Sequence, residues 1–234
     1  MQYGWVMRWR QITDDIAVLQ YPFRVFGIDF TRNVTLIRLN DGRLVIHSTA
    51  PFSADDVAMI RKFGEPSWLV DATLMHDTFG QQGRAAFPGI PYLAPPGFAE
   101  VSGVDTNPLC PAPNEWSGQL DVMPIEGTRK YEHALFHRNS RTLVVADLMF
   151  SFAEGGSSWS RFFVRNVMRL PRLQGISVFF RMLINDRQAF ARSMAEVLEL
   201  DFIRIIVGHR EVIENEPKEV LRRALRERGF EPEI

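Results

Sequence analysis

The sequence predicts a single α/β domain built from two sheet-rich halves with helices on the outside. Three observations carry this. Two β-rich runs meet across Asn40-Asp41-Gly42. Helical and strand signals then alternate along the chain. Three apolar runs also end abruptly on polar residues able to bind a metal. With 234 residues, 46% hydrophobic and 24% charged, the chain has an ordinary globular composition and enough length for one large core.

The elements follow in order. Val34-Thr-Leu-Ile-Arg-Leu39 and Arg43-Leu-Val-Ile-His-Ser48 are rich in aliphatic and β-branched residues, and the Asn-Asp-Gly between them suits a tight turn, so the pair predicts a hairpin. Ser53 opens a helix as its N-cap, with Asp55 and Asp56 in the first turn near the positive end of the dipole. Val57, Ile60 and Phe63 give that helix one apolar face, and Gly64 is its expected stop. Trp68-Leu-Val-Asp-Ala-Thr73 predicts a buried strand, with a short helix after His76. Ile90-Pro-Tyr-Leu-Ala94 predicts another strand, ended by Pro95-Pro96-Gly97. Residues 106–117, rich in Pro and Asn, form a loop crossing to the second half. Strands are expected at 120–125, 131–137 and 141–147. Residues 155–200 read as helical and arginine-rich, 202–207 return to strand, and 216–228 close as a helix with i,i+4 charge pairs. No repeat of 20–50 residues is present.

The formal net charge of -1 gives no global pull toward nucleic acid, which is not an expected partner. The one cysteine, Cys110, excludes an intrachain disulfide and fits a reducing compartment. Residues 1–10 do not read as a signal peptide, and no apolar run reaches the roughly 18–20 residues that span a bilayer. A cytosolic protein is expected; oligomeric state is left open.

Candidate chemistry lies at the strand ends. Asp147 ends Leu143-Val-Val-Ala146, Gly208-His209 ends Ile205-Ile-Val207, and the stretch to His76-Asp77 follows Leu69-Val70. Open α/β folds place their sites at such carboxyl ends, and histidine with aspartate suits zinc, manganese or iron. Each residue also has a plain structural reading. Asp147 can cap a turn, His209 can bond a backbone carbonyl, and His76-Asp77 can start a helix. His47 is expected to make a buried hydrogen bond. His133 and His137 share one strand face, expected to be the solvent face. Cys110 has no base placed beside it.

The segment between Trp159 and Arg192 carries Arg161, Arg165, Arg169, Arg172, Arg181, Arg187 and Arg192 against the single acid Asp186, with aromatic residues interleaved. Arg161, Arg165 and Arg169 recur every four residues, one basic stripe on a helix. The favoured reading is a lid that recruits an anionic substrate. Weaker alternatives are an anionic membrane surface, a dimer interface or a solvated face.

At these same residues a resemblance enters. Arg141-Thr-Leu-Val-Val-Ala-Asp-Leu-Met-Phe150 resembles the metallo-β-lactamase-fold segment in which a strand delivers a bridging aspartate before a Leu/Phe pair. Arg204-Ile-Ile-Val-Gly-His209 is similar to that superfamily's closing strand, whose Gly-His supplies the last ligand. The hairpin through Leu44-Val-Ile-His-Ser48 resembles its first sheet. A closer resemblance is to the domain of unknown function 4336. It rests on Val34-Thr-Leu-Ile-Arg-Leu39, the Leu-X-His-Ser strand, Tyr92–Gly97 and Phe136–Leu143, and runs from Asp15 to Arg228. The resemblance implies a four-layer αββα sandwich with a helical insertion at 152–200, within one domain spanning 1–234.

The departures from that pattern matter as much. The superfamily's His-X-His-X-Asp-His motif would follow the strand at 68–70, but the chain reads Ala72-Thr-Leu-Met-His-Asp77. Ala72 and Leu74 stand where two histidines are expected, His76 and Asp77 are in swapped order, and no histidine lies at 126–128. The domain of unknown function 4336 usually carries a His-His pair where this chain has His76-Asp77. What remains is His76, Asp77, Asp147 and His209, enough for one divalent ion. The implied function is a metal-dependent hydrolase-like activity on an ester, amide or phosphoester, with Asp77 and Asp147 catalytic and Arg161, Arg165 and Arg169 binding substrate. The competing expectation is a non-catalytic binding or scaffold protein that holds no metal.

Overall fold

The computed structural model describes residues 8–25, 28–152 and 157–230. Trp5 and its neighbours, part of the stretch judged not to be a leader, lie outside the described residues, as do residues 153–156 of the expected insertion.

Two sheets stand face to face. The first runs in chain order: β1 (Arg8–Gln11), β2 (Ile16–Val25), β3 (Ile28–Arg38), β4 (Arg43–His47), β5 (Glu65–Val70), β6 (Tyr92–Ala94) and β7 (Asn107–Pro108). Its neighbours are antiparallel up to β4 and parallel from there on. The second sheet holds β8 (Leu120–Pro124), β9 (His133–His137), β10 (Thr142–Val144) and β13 (Arg204–Ile206), in the order β13-β10-β9-β8. A two-stranded ribbon, β11 (Phe150–Ser151) with β12 (Gln174–Gly175), sits apart.

The expected 34–48 hairpin forms as β3 and β4, with Gly42 at φ 85° in its turn. No turn signal marks the longer pairing before it, in which β2 and β3 are matched along ten residue pairs from Ile16↔Ile37 to Val25↔Ile28. Helix α1 (Ala54–Phe63) starts as expected, with a capping box in which Ser53 and Asp56 exchange side-chain and backbone bonds. Gly64 ends it for a different reason than a left-handed cap. Its φ is 176°, and a Cβ there would lie 2.7 Å from the Gly42 carbonyl oxygen of the hairpin turn.

Apolar side chains alternate between layers. Ile16, Val18, Ile37, Val45 and Val70 of the first sheet meet Leu120, Leu135, Val144 and Ile206 of the second. The other face of the first sheet packs Leu36, Leu44 and Leu69 on Ile60 of α1 and Phe98 of α3 (Phe98–Ser102), with Ala86 of α2 (Gly80–Ala86) against them. The outer face of the second sheet packs Phe136, Leu143 and Ile205 on Phe190, Met194 and Val197 of α6 (Arg187–Glu199) and on Leu221 and Leu225 of α7 (Pro217–Arg226). The result is four layers in the order αββα. The arginine-rich segment divides accordingly. Helix α6 is an outer layer of the sandwich. Helix α4 (Ser158–Phe162), the π-helical turn Phe163–Val167 and α5 (Val178–Leu183) stand over the sheet ends.

One polar residue ties the sheets together. Asn33 on β3 is fully buried; its Nδ2 donates to the carbonyls of Val207 at 2.8 Å and Arg210 at 2.9 Å, and its backbone N–H to Gly208 at 2.8 Å. It thereby fixes the loop after β13 against the first sheet. Asn33→Ala leaves the buried Val207 carbonyl without a donor, while Gln20 Nε2 still serves the Arg210 carbonyl, and is expected to lower unfolding stability by about 1–3 kcal/mol in urea titration. A change below about 0.5 kcal/mol shows that this staple does not hold the sheets.

Candidate metal centre

The three strand ends that looked informative converge. His76 follows β5, Asp147 follows β10 and His209 follows β13, so one comes from the first sheet and two from the second. One potential ligand atom from each lies within 4.8 Å of the other two, and all three residues are buried. Asp147 Oδ1 is 3.0 Å from His209 Nε2, and Oδ2 is 3.3 Å from His76 Nε2. The carboxylate therefore stands between two imidazole nitrogens.

Each ring is aimed by a second bond. His76 Nδ1 lies 2.7 Å from the Ser48 hydroxyl, just past β4. His209 Nδ1 lies 2.8 Å from the Thr31 carbonyl on β3. A carbonyl only accepts, so this nitrogen carries the proton and donates. Phe150 stacks on the His209 ring at 5.3 Å with an interplanar angle of 5°. His76 has φ -98° and ψ 22°, a break inside the 3-10 run Leu74–Phe79, which begins with Thr73 as cap. The local chain is thus shaped around the imidazole.

The loops carrying the ligands are held as tightly. Gly208 leaves no room for a side chain: a Cβ would meet the Ala146 carbonyl oxygen at 2.6 Å and His76 Cε1 at 2.8 Å. Arg210 takes φ 67°, a left-handed conformation that favours glycine. Glu132 is fully buried, and its Oε1 accepts from the backbone N–H of Ala146, Asp147 and Leu148 at 2.9, 3.1 and 3.1 Å. It gathers the turn that presents Asp147.

Charge states follow from burial. Burial, reinforced by Arg32, lowers the His76 pKa to about 4, so the ring is neutral at pH 7. Burial pushes Asp147 upward, but His76 and His209 outweigh it and hold the carboxyl well below its usual range. Burial, then the Asp147 charge, pushes Glu132 up to about 8.

Beside the three residues opens a cavity of about 310 Å³. His76, Asp147 and His209 line it, as do Phe23, Phe30, Phe150, Phe163 and Phe180. Its one lining cation among the described residues is Arg32, on β3 and 2% exposed.

Other expected residues fall elsewhere. Asp77 follows His76 but is not part of the three-residue group and does not line the cavity. Among the described residues, Arg161, Arg165 and Arg169 do not line it either. Arg165 and Arg169 are exposed, and the Arg169 carbonyl accepts from Arg228. The π-helical turn between them breaks the four-residue period on which the stripe depended. His133 and His137 share a face, but a buried one: they pair with the Tyr131 carbonyl and the Ser140 hydroxyl, both at 2.8 Å. His47, expected to make a buried bond, has no hydrogen-bond partner on either ring nitrogen among the described residues. Burial, then His76 and Arg32, lower its pKa to about 3. Cys110 is exposed.

Solved structures share this fold. A metallo-β-lactamase from Pontibacter korlensis matches with a TM-score of 0.63 at 10% identity, covering 92% of this chain and 96% of that one. The DIM-1 metallo-β-lactamase matches with 0.62 at 14% identity, covering 94% and 97%. The FIM-1 metallo-β-lactamase of Pseudomonas aeruginosa, in its mono-zinc form, matches with 0.61 at 13% identity, covering 94% and 95%. The chain has the metallo-β-lactamase fold.

No protein-family model matches the chain, and no curated protein sequence does. Among the described residues no helix is long and apolar enough to cross a membrane. In this version of the metallo-β-lactamase fold, Ala72 is buried in the core between the sheets and Leu74 packs on the outer core of the first sheet. Neither lines the cavity, so these apolar replacements do not fill the space among His76, Asp147 and His209.

Two measurements test the supports. Glu132→Ala strands three buried N–H groups and is expected to cost about 3 kcal/mol or more, with Glu132→Gln, which keeps an acceptor, costing less than half of that in the same urea titration. Equal costs rule out the hydrogen-bond account. Asp71, at the end of β5, is fully buried and accepts from the Tyr92 hydroxyl. Burial, only partly offset by Tyr92 and Arg32, raises its pKa to about 7. In the folded state it binds a proton that the unfolded chain has released between about pH 4 and pH 7, so stability falls as pH rises through this window. Asp71→Asn should flatten that part of a stability–pH curve; an unchanged slope assigns the dependence to another group.

Proposed function

We propose that the chain is a metal-dependent hydrolase-like protein that binds one divalent ion through His76, Asp147 and His209. The observation that carries this is the lone-pair conflict at His209. With its proton on Nδ1, facing Thr31, a neutral ring turns the Nε2 lone pair toward Asp147 Oδ1 at 3.0 Å. Two lone pairs aimed at each other repel unless a cation lies between them or the ring takes a second proton. His76 adds a second nitrogen facing the same carboxylate: its buried Nε2 lies 3.3 Å from Asp147 Oδ2. Two imidazoles and an ionised carboxylate suit zinc, manganese or iron.

Three ligands support one ion, and the two histidines missing at Ala72 and Leu74 argue against a second. A bound ion of this kind supplies an acidified water and polarises a carbonyl or phosphoryl oxygen. The protein's own residues then have defined tasks. Ser48 and Thr31 orient the rings, Glu132 and Gly208 hold the ligand loops, and the aromatic wall keeps bulk water from the reacting group. Substrates fitting this chemistry are esters, amides and phosphoesters. We take residues 158–183 as the lid of the cavity, and the one free thiol supports a cytosolic protein. The motifs shared with the domain of unknown function 4336 favour membership of that group.

A second reading, a binding protein without metal, is favoured by the same two lost histidines, with His209 then an imidazolium paired to Asp147. Metal content separates the two. Untagged protein analysed by inductively coupled plasma mass spectrometry is expected to hold about one equivalent of zinc, manganese or iron, and an Asp147→Ala, His209→Ala variant of unchanged circular dichroism less than a tenth of that. Metal-free protein, even after dialysis against added ions, rejects the hydrolase reading in favour of the second.

A further inference from the structure

Among the described residues Arg32 is a buried cation without an ion-pair partner. Its Nε and Nη1 have no hydrogen-bond acceptor, and no carboxylate lies within ion-pair distance of it among the described residues. Its nearest packed groups are the rings of Phe23 and Phe79, 5.9 and 5.8 Å from the guanidinium carbon. The charges it senses, Asp71 and Asp147 first among them, act on it without a direct bond. Leaving a guanidinium desolvated with donors unmet costs several kcal/mol, and stability alone does not retain such a residue where a methionine of similar length would pack. Arg32 also lines the cavity, so its unmet donors have somewhere to point.

The rest of the wall says what else the cavity accepts. Phe23, Ile28, Phe30, Phe150, Phe163 and Phe179 surround Arg32 and the ligand group with aromatic and aliphatic surface. Phe179 is 47% exposed, so the apolar lining continues out to solvent at the mouth. A volume of about 310 Å³ admits a small molecule of limited size. A strongly hydrated anion such as free phosphate would lose its water against such walls and recover only one cation.

We propose that the cavity binds an apolar carboxylate, its acid group on Arg32 and its hydrocarbon or aryl body against the phenylalanine wall. As the substrate class of the hydrolase this rests on the metal reading above; as a binding property it does not. Arg32 is then the specificity-determining cation, in the role first expected of Arg161, Arg165 and Arg169.

The test uses 4-phenylbutyrate and its neutral counterpart 4-phenylbutanol in titration calorimetry, with metal-stripped and zinc-treated protein. The carboxylate should bind wild type at least about tenfold more tightly than the alcohol in both forms. Arg32→Met should remove that preference while still binding the alcohol, with a melting temperature equal to or above wild type because a buried charge is gone. Arg32→Lys should keep part of the preference and provides the comparison if the methionine variant does not fold. No binding by wild type, or a preference that survives Arg32→Met, overturns the proposal. A preference that follows added zinc and ignores Arg32 overturns it while leaving the metal reading standing. A preference that follows Arg32 in protein that never takes up metal upholds the proposal as a binding property and rejects the hydrolase.

Discussion

The site depends on one buried carboxylate held between two imidazoles contributed by different sheets. Asp147 and His209 ride on neighbouring parallel strands of the second sheet, so their separation is set by the β10–β13 pairing. His76 comes from the first sheet, so its distance to Asp147 depends on how closely the sheets pack. The inter-sheet core supplies that packing without directional preference. Direction comes from the buried polar contacts: Asn33 and Thr31 on β3 grip the loop of His209, and Ser48 orients His76. An apolar core alone would hold the layers together and leave the angle of each ring free.

Strand β3 serves the site from both of its faces. Thr31 and Asn33 point one way and fix the His209 loop. Arg32, between them, points the other way with Ile28 and Phe30, into the cavity. The alternation of a strand makes this possible: adjacent residues serve opposite sides while the hydrogen-bonded backbone fixes them relative to each other. The long β2–β3 pairing carries this alternation past the end of β4 and out to the cavity, where Phe23 and Phe30 become its wall.

The sandwich and three of the four strand-end residues that converge, His76, Asp147 and His209 without Asp77, were legible because both are written in short-range pattern. A strand buried on both faces is a continuous apolar run, and its end is marked where the run meets a polar residue; Val144 to Asp147 and Ile206 to His209 are read that way. The supporting residues are not written so. Arg32 and Asn33 lie in Thr31-Arg32-Asn33, a polar triplet that looks like a turn, and nothing nearby says that β2 pairs along it. Glu132 is a lone acid at the start of an apolar strand, indistinguishable in sequence from a residue facing solvent. Their roles come from partners more than ten residues away, at 146–148 and 207–210, and only tertiary contact reveals them. The arginine stripe misled for the converse reason. Four-residue spacing implies one face only if the helix is α throughout, and the π-helical turn at Phe163–Val167 removes that condition.

The polar groups around the cavity are costly to a fold that needs only stability. Among the described residues Arg32 has no acceptor for Nε or Nη1 and His47 no partner on either nitrogen, and Glu132 is driven toward its protonated form by burial and then by the Asp147 charge. Buried polar atoms without a hydrogen-bond partner also lie elsewhere among the described residues, at Tyr21 Oη, Trp116 Nε1 and Arg204 Nε; what sets Arg32 apart is that it lines the cavity. A buried cation that lines a cavity beside a paired carboxylate is unmet bonding capacity placed where a ligand can reach it.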